Sequence, residues 1–141
     1  MKITLKRLND NYHFELKNER GNRVELDTTK ANGGNDLGAS PMELLLMGVA
    51  GCSAIDIISI LKKQRQNITY YGAEAVGERV QVDDYKLFKE IEVTVILEGK
   101  IDPQKALKAA ELSFKKYCSV SKTLEATATI SYKVKLNNQL L

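Results

Sequence analysis

The chain has 141 residues, which suits a single domain over 1–141 that can bury most of its apolar surface. Its 28% charged and 43% hydrophobic residues are ordinary for a soluble globular protein. The net charge of +3 is small, and no basic run is interleaved with aromatic residues, so the composition does not favour nucleic-acid binding. The first ten residues lack the apolar core of a signal peptide, and we expect a cytoplasmic protein.

The N-terminal part is predicted to form a three-stranded antiparallel meander. Strands at 2–8 and 12–17 are joined by the turn formers Asn9-Asp10-Asn11, and a third strand follows at 23–27. Residues 30–40 contain three glycines and two asparagines, which predicts a loop. This loop is either a flexible connector or a rim beside the helix that comes next.

The longest apolar run, residues 40–63, predicts a central helix. Ser40 is a good N-cap, Pro41 suits the first helical position, and Glu43 completes a capping box. Apolar residues then lie on every side, which is typical of a buried helix. A membrane span is the alternative, but the uncharged stretch between Glu43 and Asp56 is too short to cross a bilayer. Few strands are available to cover this helix, so we expect a second subunit to bury it in a homodimer.

The C-terminal part is predicted to contain two long strands, a helix and a last strand. The strands lie at 68–80 and 87–98, and an amphipathic helix begins at Asp102-Pro103. Cys118 follows this helix, and a short turn, capped by Ser119 or Ser121, leads to a strand at 128–136. The order predicts an α+β fold with antiparallel sheets rather than alternating βαβ units.

Both cysteines are candidates for chemistry. Cys52 lies on the one polar stripe of the central helix, together with Gly48, Asp56, Ser59 and Lys63. Either Asp56 pairs with a nearby backbone or basic group, or the stripe lines a pocket at the thiol. Cys118 can lie at a helix N-terminus, which would lower its pKa. On chemistry alone the two thiols are either a reactive and a resolving pair or two inert core residues.

A metal or cofactor site is not expected from the sequence. His13 is the single histidine, and no cluster of carboxylates accompanies the cysteines at the spacing of metal ligands.

Two motifs resemble the OsmC/Ohr family of thiol peroxidases. The first is Ser40-Pro41-Met42-Glu43-Leu44 with Gly48 and Ala50-Gly51-Cys52-Ser53, and the second is the run from Cys118 to Leu124. The resemblance covers essentially the whole chain. It implies an OsmC-like α+β fold, with antiparallel sheets packed around a long buried central helix, in an intertwined homodimer with active sites at the subunit interface.

The resemblance also implies a function for the thiols. Cys52 would attack an organic hydroperoxide and become a sulfenic acid, and Cys118 would condense with it to a disulfide that an external dithiol reduces. Such a hydroperoxide reductase protects against oxidative stress and needs no cofactor. The alternative is a binding protein that holds an apolar small molecule at the dimer interface.

The chain departs from the family pattern at the residues that activate the thiol. The well-studied members of the family have a glutamate after the proline, where this chain has Met42, and the carboxylate comes one position later at Glu43. Glu43 precedes Cys52 by nine residues, about 180° round the helix, and is predicted to be a capping residue. Arg7 is the best-placed partner arginine, and we expect Asp56 to orient it towards Cys52.

Overall fold

The computed structural model describes residues 1–141, which form two compact units, 1–45 and 46–141. Helix α1, Pro41–Lys63, begins in the first unit and continues into the second. Each unit is described by itself below. The α+β class predicted from the sequence is confirmed by two sheets and three α-helices. Whether 1–141 behaves as one domain stays a prediction.

The first unit contains the predicted meander. Strands β1 (Ile3–Arg7), β2 (Phe14–Asn18) and β3 (Arg23–Leu26) pair antiparallel in that order. The glycine-rich loop that follows is folded around the buried carboxylate of Asp27, which accepts hydrogen bonds from the amides of Thr28, Asn35 and Leu37 at 2.7, 3.1 and 3.1 Å. Asp27 directly follows β3. The loop is therefore held to the end of this strand through the amides of Asn35 and Leu37.

The start of α1 is the predicted capping box. The amide of Ser40 donates to the Glu43 carboxylate at 2.7 Å, and the amide of Glu43 donates to the Ser40 hydroxyl at 3.4 Å. These bonds to Ser40 hold the pKa of Glu43 below its ordinary value. The capping role predicted for Glu43 is confirmed.

Within the single chain, α1 is buried along one stripe only. Val49, Ser53 and Ile57, spaced four residues apart, are completely buried, whereas Met47 and Ile55 are 57% and 69% exposed. By length and composition alone α1 is also long and apolar enough to cross a membrane, a property that it shares with core helices. The all-round burial predicted for this helix is not found within the single chain.

The second unit is built on a four-stranded sheet in the order β4-β5-β6-β7. The strands are β4 (Asn67–Val82), β5 (Tyr85–Lys100), β6 (Thr129–Leu136) and β7 (Gln139–Leu140). β4 and β5 form an antiparallel hairpin through the predicted turn at Asp83-Asp84. β5 shows the predicted alternation, and the buried set is Ile91, Val93, Val95 and Leu97.

One pairing in this sheet differs from the antiparallel prediction, because β5 and β6 run parallel. Three helical segments lie between these two strands: α2 (Pro103–Leu112), a π-helical turn (Ser113–Tyr117) and α3 (Ser119–Leu124). A helical crossover returns the chain to the end of the sheet at which β5 begins, so β6 runs in the same direction as β5. The order of elements therefore hides one βαβ unit, which the sequence analysis had ruled out.

The crossover packs on the strand that it leads to. α2 and the π-helical turn both contact β6, and the rings of Phe114 and Tyr132 stack with centroids 4.8 Å apart. α2 begins with the predicted cap, since the Asp102 carboxylate accepts hydrogen bonds from the amides of Gln104 and Lys105. This packing fixes the position of the segment that carries Cys118.

Candidate active site

The structure brings Cys52, Asp56 and Cys118 together in the second unit. The two sulfur atoms and a carboxylate oxygen of Asp56 all lie within 4.8 Å of one another. Both thiols are free, and Cys52 is partly exposed whereas Cys118 is completely buried. We call these three residues the Cys52–Asp56–Cys118 cluster.

Helix α1 supplies two members of the cluster from one face. Residues four apart in a helix point in the same direction, which places the Asp56 carboxylate beside the Cys52 thiol. Gly48, one turn earlier on that face, lies against α3: a Cβ atom added to it would be 3.5 Å from Val120. The segment that follows Cys118 therefore packs against this face of the helix.

The π-helical turn supplies the support for the cluster. The amide of Cys118 donates to the carbonyl of Ser113 at 2.8 Å, which closes the turn at the cysteine. The hydroxyl of the same Ser113, a completely buried residue, donates to the Asp56 carboxylate at 3.2 Å. One turn of chain therefore fixes both the second thiol and the orientation of the carboxylate.

Cys118 is the N-cap of α3, as the sequence analysis allowed, but its pKa does not fall. Its sulfur accepts hydrogen bonds from the amide of Ser121 at 3.4 Å and from its hydroxyl at 3.0 Å. Burial raises the pKa of the Cys118 thiol, and the neighbouring Cys52 raises it further, which together outweigh the Ser121 bonds. The lowered pKa expected at this helix terminus is wrong in direction.

A cavity of about 580 Å³ adjoins the cluster at Asp56. This volume is within the range of small-molecule sites. The amide oxygen of Gln64, a residue of its wall, is buried and has no hydrogen-bond partner within the chain. The lining residues are Asp56, Ser59, Ile60, Lys63, Gln64, Leu112 and Tyr117. Three of them, Asp56, Ser59 and Lys63, belong to the predicted polar stripe, so part of the stripe lines a pocket. Cys52 is not a lining residue, however, and the pocket lies at Asp56 rather than at the thiol as predicted.

The sequence of residues 33–133 matches the family described as OsmC-like protein. The chain belongs to this family. Protein YhfA of Escherichia coli K12 is 38% identical over 98 residues, which are 69% of this chain and 72% of YhfA. The family resemblance predicted from the two cysteine motifs is therefore confirmed.

Solved structures of similar proteins share the fold of this OsmC-like chain. A hypothetical protein from Aquifex aeolicus VF5 is 30% identical with a TM-score of 0.78, and the alignment covers 96% of each chain. An organic hydroperoxide resistance protein from Elizabethkingia anophelis is 18% identical with a TM-score of 0.74, covering 96% of this chain and 94% of its own. At 18% identity, the similarity to the Elizabethkingia anophelis protein concerns the fold alone.

Two other predicted site residues of this OsmC-like protein are engaged within the first unit. The guanidinium of Arg7 donates to the backbone carbonyl of Asn11 at 2.8 Å and to that of Asp10, both in the turn after β1. Glu43 is occupied by the capping box. The pairing of Arg7 with Asp56 stays a prediction.

The sequence analysis missed Ser113 and gave Ser121 a different role. It predicted Ser119 or Ser121 as the cap of the short turn, whereas the cap is Cys118 and Ser121 donates to its sulfur. Ser113 is 57 residues from Asp56, and a buried hydroxyl leaves no pattern in a sequence. The expectation of no metal site was likewise based on sequence spacing, which cannot show that Cys118 joins Cys52 and Asp56 in space.

Proposed function

We propose that this chain is a thiol-dependent peroxidase that reduces organic hydroperoxides through Cys52 and Cys118. The observation that carries the proposal is the proximity of two free sulfurs, within 4.8 Å, in different surroundings. Membership of the OsmC-like family supports it, and the fold is shared with a protein named for organic hydroperoxide resistance. The partly exposed Cys52 can meet a peroxide, whereas the buried Cys118 cannot meet it first.

The reaction follows from this difference in exposure. The Cys52 thiolate attacks the terminal oxygen of the hydroperoxide, the O–O bond breaks, and the alkoxide takes a proton to leave as an alcohol. Cys52 is then a sulfenic acid. The Cys118 sulfur attacks it, a disulfide forms and water leaves with the sulfenic oxygen. An external dithiol returns two electrons by thiol–disulfide exchange and is itself oxidised.

Asp56 is proposed to orient the group that activates Cys52. Its carboxylate is the one beside both sulfurs, and the Ser113 hydroxyl fixes its direction. A mid-helix thiolate needs a positive charge or hydrogen-bond donors. Arg7 is the basic residue that we propose for this role.

The test is stopped-flow oxidation of the reduced protein by cumene hydroperoxide and, separately, by hydrogen peroxide, followed by thiol counting and peptide mapping. We expect faster loss of thiols with the organic peroxide, an intramolecular Cys52–Cys118 disulfide and one alcohol per disulfide. Cys118→Ser should still react once, leaving a sulfenic acid on Cys52. Unchanged thiols, or a Cys52 sulfinic acid beside a free Cys118 in the wild type, would overturn the proposal.

We also propose a homodimer. The exposed face of α1 presents Met47 and Ile55 on either side of Gly51, and no atom lies within 4 Å of a Cβ added to that glycine. An apolar face with such a notch suits close packing against a second copy. Light scattering at micromolar concentration should give twice the monomer mass, and Ile55→Asp should lower it; a monomeric wild type would contradict the proposal.

A second candidate function is supported by the cavity beside Asp56. Its volume of about 580 Å³ and its apolar wall at Ile60 and Leu112 suit a small amphipathic ligand. In that case the chain binds a fluorescent fatty acid in both wild type and the Cys52→Ser variant, and shows no peroxide turnover.

We also propose a cytoplasmic location for this chain. A pair of thiols that is reduced after each reaction requires a reducing compartment.

A further inference from the structure

We propose that the reduced Cys52–Asp56–Cys118 cluster is a binding site for a thiophilic divalent cation such as Zn²⁺. The three potential ligand atoms lie within 4.8 Å of one another, so one point lies within about 2.8 Å of all of them. A tetrahedral Zn²⁺ site has metal–sulfur distances of about 2.3 Å and metal–oxygen distances of about 2.0–2.2 Å. Small rotations of the side chains therefore bring all three atoms to bonding distance.

The ligands are of the type and arrangement that Zn²⁺ prefers. In the metal-bound form two thiolates and one carboxylate stand together in a partly buried place, where three anionic groups alone would repel one another and lose hydration. A divalent cation offsets two of these charges. Cys52 and Asp56 stand one turn apart on a helix, a spacing that directs two ligands to one ion, and the third ligand comes from a separate segment.

Outer contacts already orient two of the three ligands. The Ser113 hydroxyl donates to the Asp56 carboxylate at 3.2 Å, and Ser121 donates to the Cys118 sulfur through its hydroxyl and its amide. Ser113 and Ser121 are both buried. Hydrogen bonds of this kind fix the direction of metal ligands and contribute strongly to affinity. The site therefore has a preformed second layer of contacts.

The fourth coordination position is open. Asp56 also lines the cavity of about 580 Å³, so an ion at the cluster can take a water molecule from that side. Three protein ligands with a water molecule in the fourth position are typical of zinc sites that keep one coordination position open, whereas structural sites are closed by four protein ligands. Binding displaces any proton held by the two thiols, and a bound ion withholds both sulfurs from peroxides.

This inference does not depend on the proposed peroxidase, since the ligands bind whether or not the thiols turn over. The test uses the full reduced chain under anaerobic conditions and Co²⁺ as the probe, followed by displacement with Zn²⁺. We expect one Co²⁺ per chain, a sulfur-to-cobalt charge-transfer band in the near ultraviolet and visible bands of tetrahedral intensity. Cys52→Ser and Cys118→Ser should each weaken the charge-transfer band.

Variants of Asp56 and of Ser113, whose hydroxyl donates to it, allow a sharper comparison of Zn²⁺ affinities. Asp56→Asn should lower the Zn²⁺ affinity, measured by competition with a chromophoric chelator, by about tenfold or more. Ser113→Ala should lower it by about tenfold, the lower end of the effect of losing an outer contact. Asp84→Asn, an exposed carboxylate in the β4–β5 turn, is the matched control and should bind like the wild type.

Three results would overturn the inference. The first is the absence of a charge-transfer band in the reduced wild type. The second is an equal Zn²⁺ affinity of the wild type, Asp56→Asn and Ser113→Ala. The third is unchanged metal binding after the two thiols are joined as a disulfide. If Asp56→Asn does not fold, the Ser113→Ala comparison decides. A protein that binds Zn²⁺ but leaves peroxides unreduced keeps the metal site and refutes only the peroxidase.

Discussion

Glu43 provides a direct test of which carboxylate of α1 has which role. Its side chain accepts the Ser40 amide at 2.7 Å, and its own amide donates to the Ser40 hydroxyl. Glu43→Gln keeps an acceptor at this position but removes the charge, whereas Glu43→Ala removes both. The two variants therefore separate the electrostatic part of the cap from the whole reciprocal interaction.

The expected magnitudes are small and measurable. Loss of a helix cap costs on the order of 1 kcal/mol, so Glu43→Ala should lower the free energy of unfolding by about 1 kcal/mol. The charge near the helix N-terminus contributes less, because Glu43 is exposed and solvent screens it, and Glu43→Gln should cost about 0.5 kcal/mol. For a chain of this size these values lower Tm by roughly 1–4 °C.

The pH dependence of stability shows which protonation state of Glu43 stabilises the folded chain. The bonds to Ser40 lower the pKa of Glu43 in the folded chain, so the folded state favours the ionised carboxylate. This stabilisation is fully present above the unfolded pKa of about 4.3 and is lost as the pH falls through the lower folded value. The difference between wild type and Glu43→Gln should therefore be present at neutral pH and should vanish in acid.

The assay is urea denaturation followed by circular dichroism at fixed protein concentration, beside stopped-flow oxidation by cumene hydroperoxide. We expect both variants to be less stable and to keep the wild-type rate of thiol oxidation. If Glu43→Gln abolished the peroxide reaction without changing stability, the assignment of this carboxylate to the cap would be refuted, and the activating carboxylate would have to be Glu43 rather than Asp56.

Two further predictions concern the second unit. Asp56→Asn should slow oxidation of Cys52 by about tenfold or more, the effect of one lost charge-assisted bond, in stopped-flow assays; a wild-type rate would remove Asp56 from the activating group. Gly77→Ala should lower the free energy of unfolding by about 1–3 kcal/mol in urea titrations, because the added Cβ would be 2.3 Å from the Phe88 ring and 3.0 Å from Leu46. Wild-type stability of Gly77→Ala would show that Phe88 moves aside without cost.

Local chemistry explains what could be predicted from the sequence. The cap at Ser40 and Glu43 and the alternation of β5 depend on residues within a few positions of one another, and both are present in the structure. The polar stripe of α1 needs only the helical repeat, so a pocket along this stripe could be foreseen as well. These features could be predicted because each depends on residues that are close together in the sequence.

What could not be predicted depends on contacts between distant segments. The parallel pairing of β5 and β6 requires knowing to which edge the crossover returns. The pKa of Cys118 combines a helix terminus, which is visible in the sequence, with burial, which is not, and burial dominates. Asp27 is similar: nothing near it in the sequence indicates that its carboxylate binds the amides of residues 35 and 37.

The π-helical turn connects the buried Cys118 thiol to an exposed aromatic side chain. A disulfide requires the two sulfurs to come closer than they are in the reduced chain, and the amide of Cys118 is bonded to the Ser113 carbonyl at the other end of the π-helical turn, so we expect disulfide formation to disturb this turn. Tyr117 stands within that turn, is 48% exposed and lines the cavity. The chain contains no tryptophan, so tyrosine emission is not masked. We therefore expect the emission of Tyr117 to change when the thiols are oxidised, and a difference spectrum between the wild type and Tyr117→Phe would separate it from the other five tyrosines.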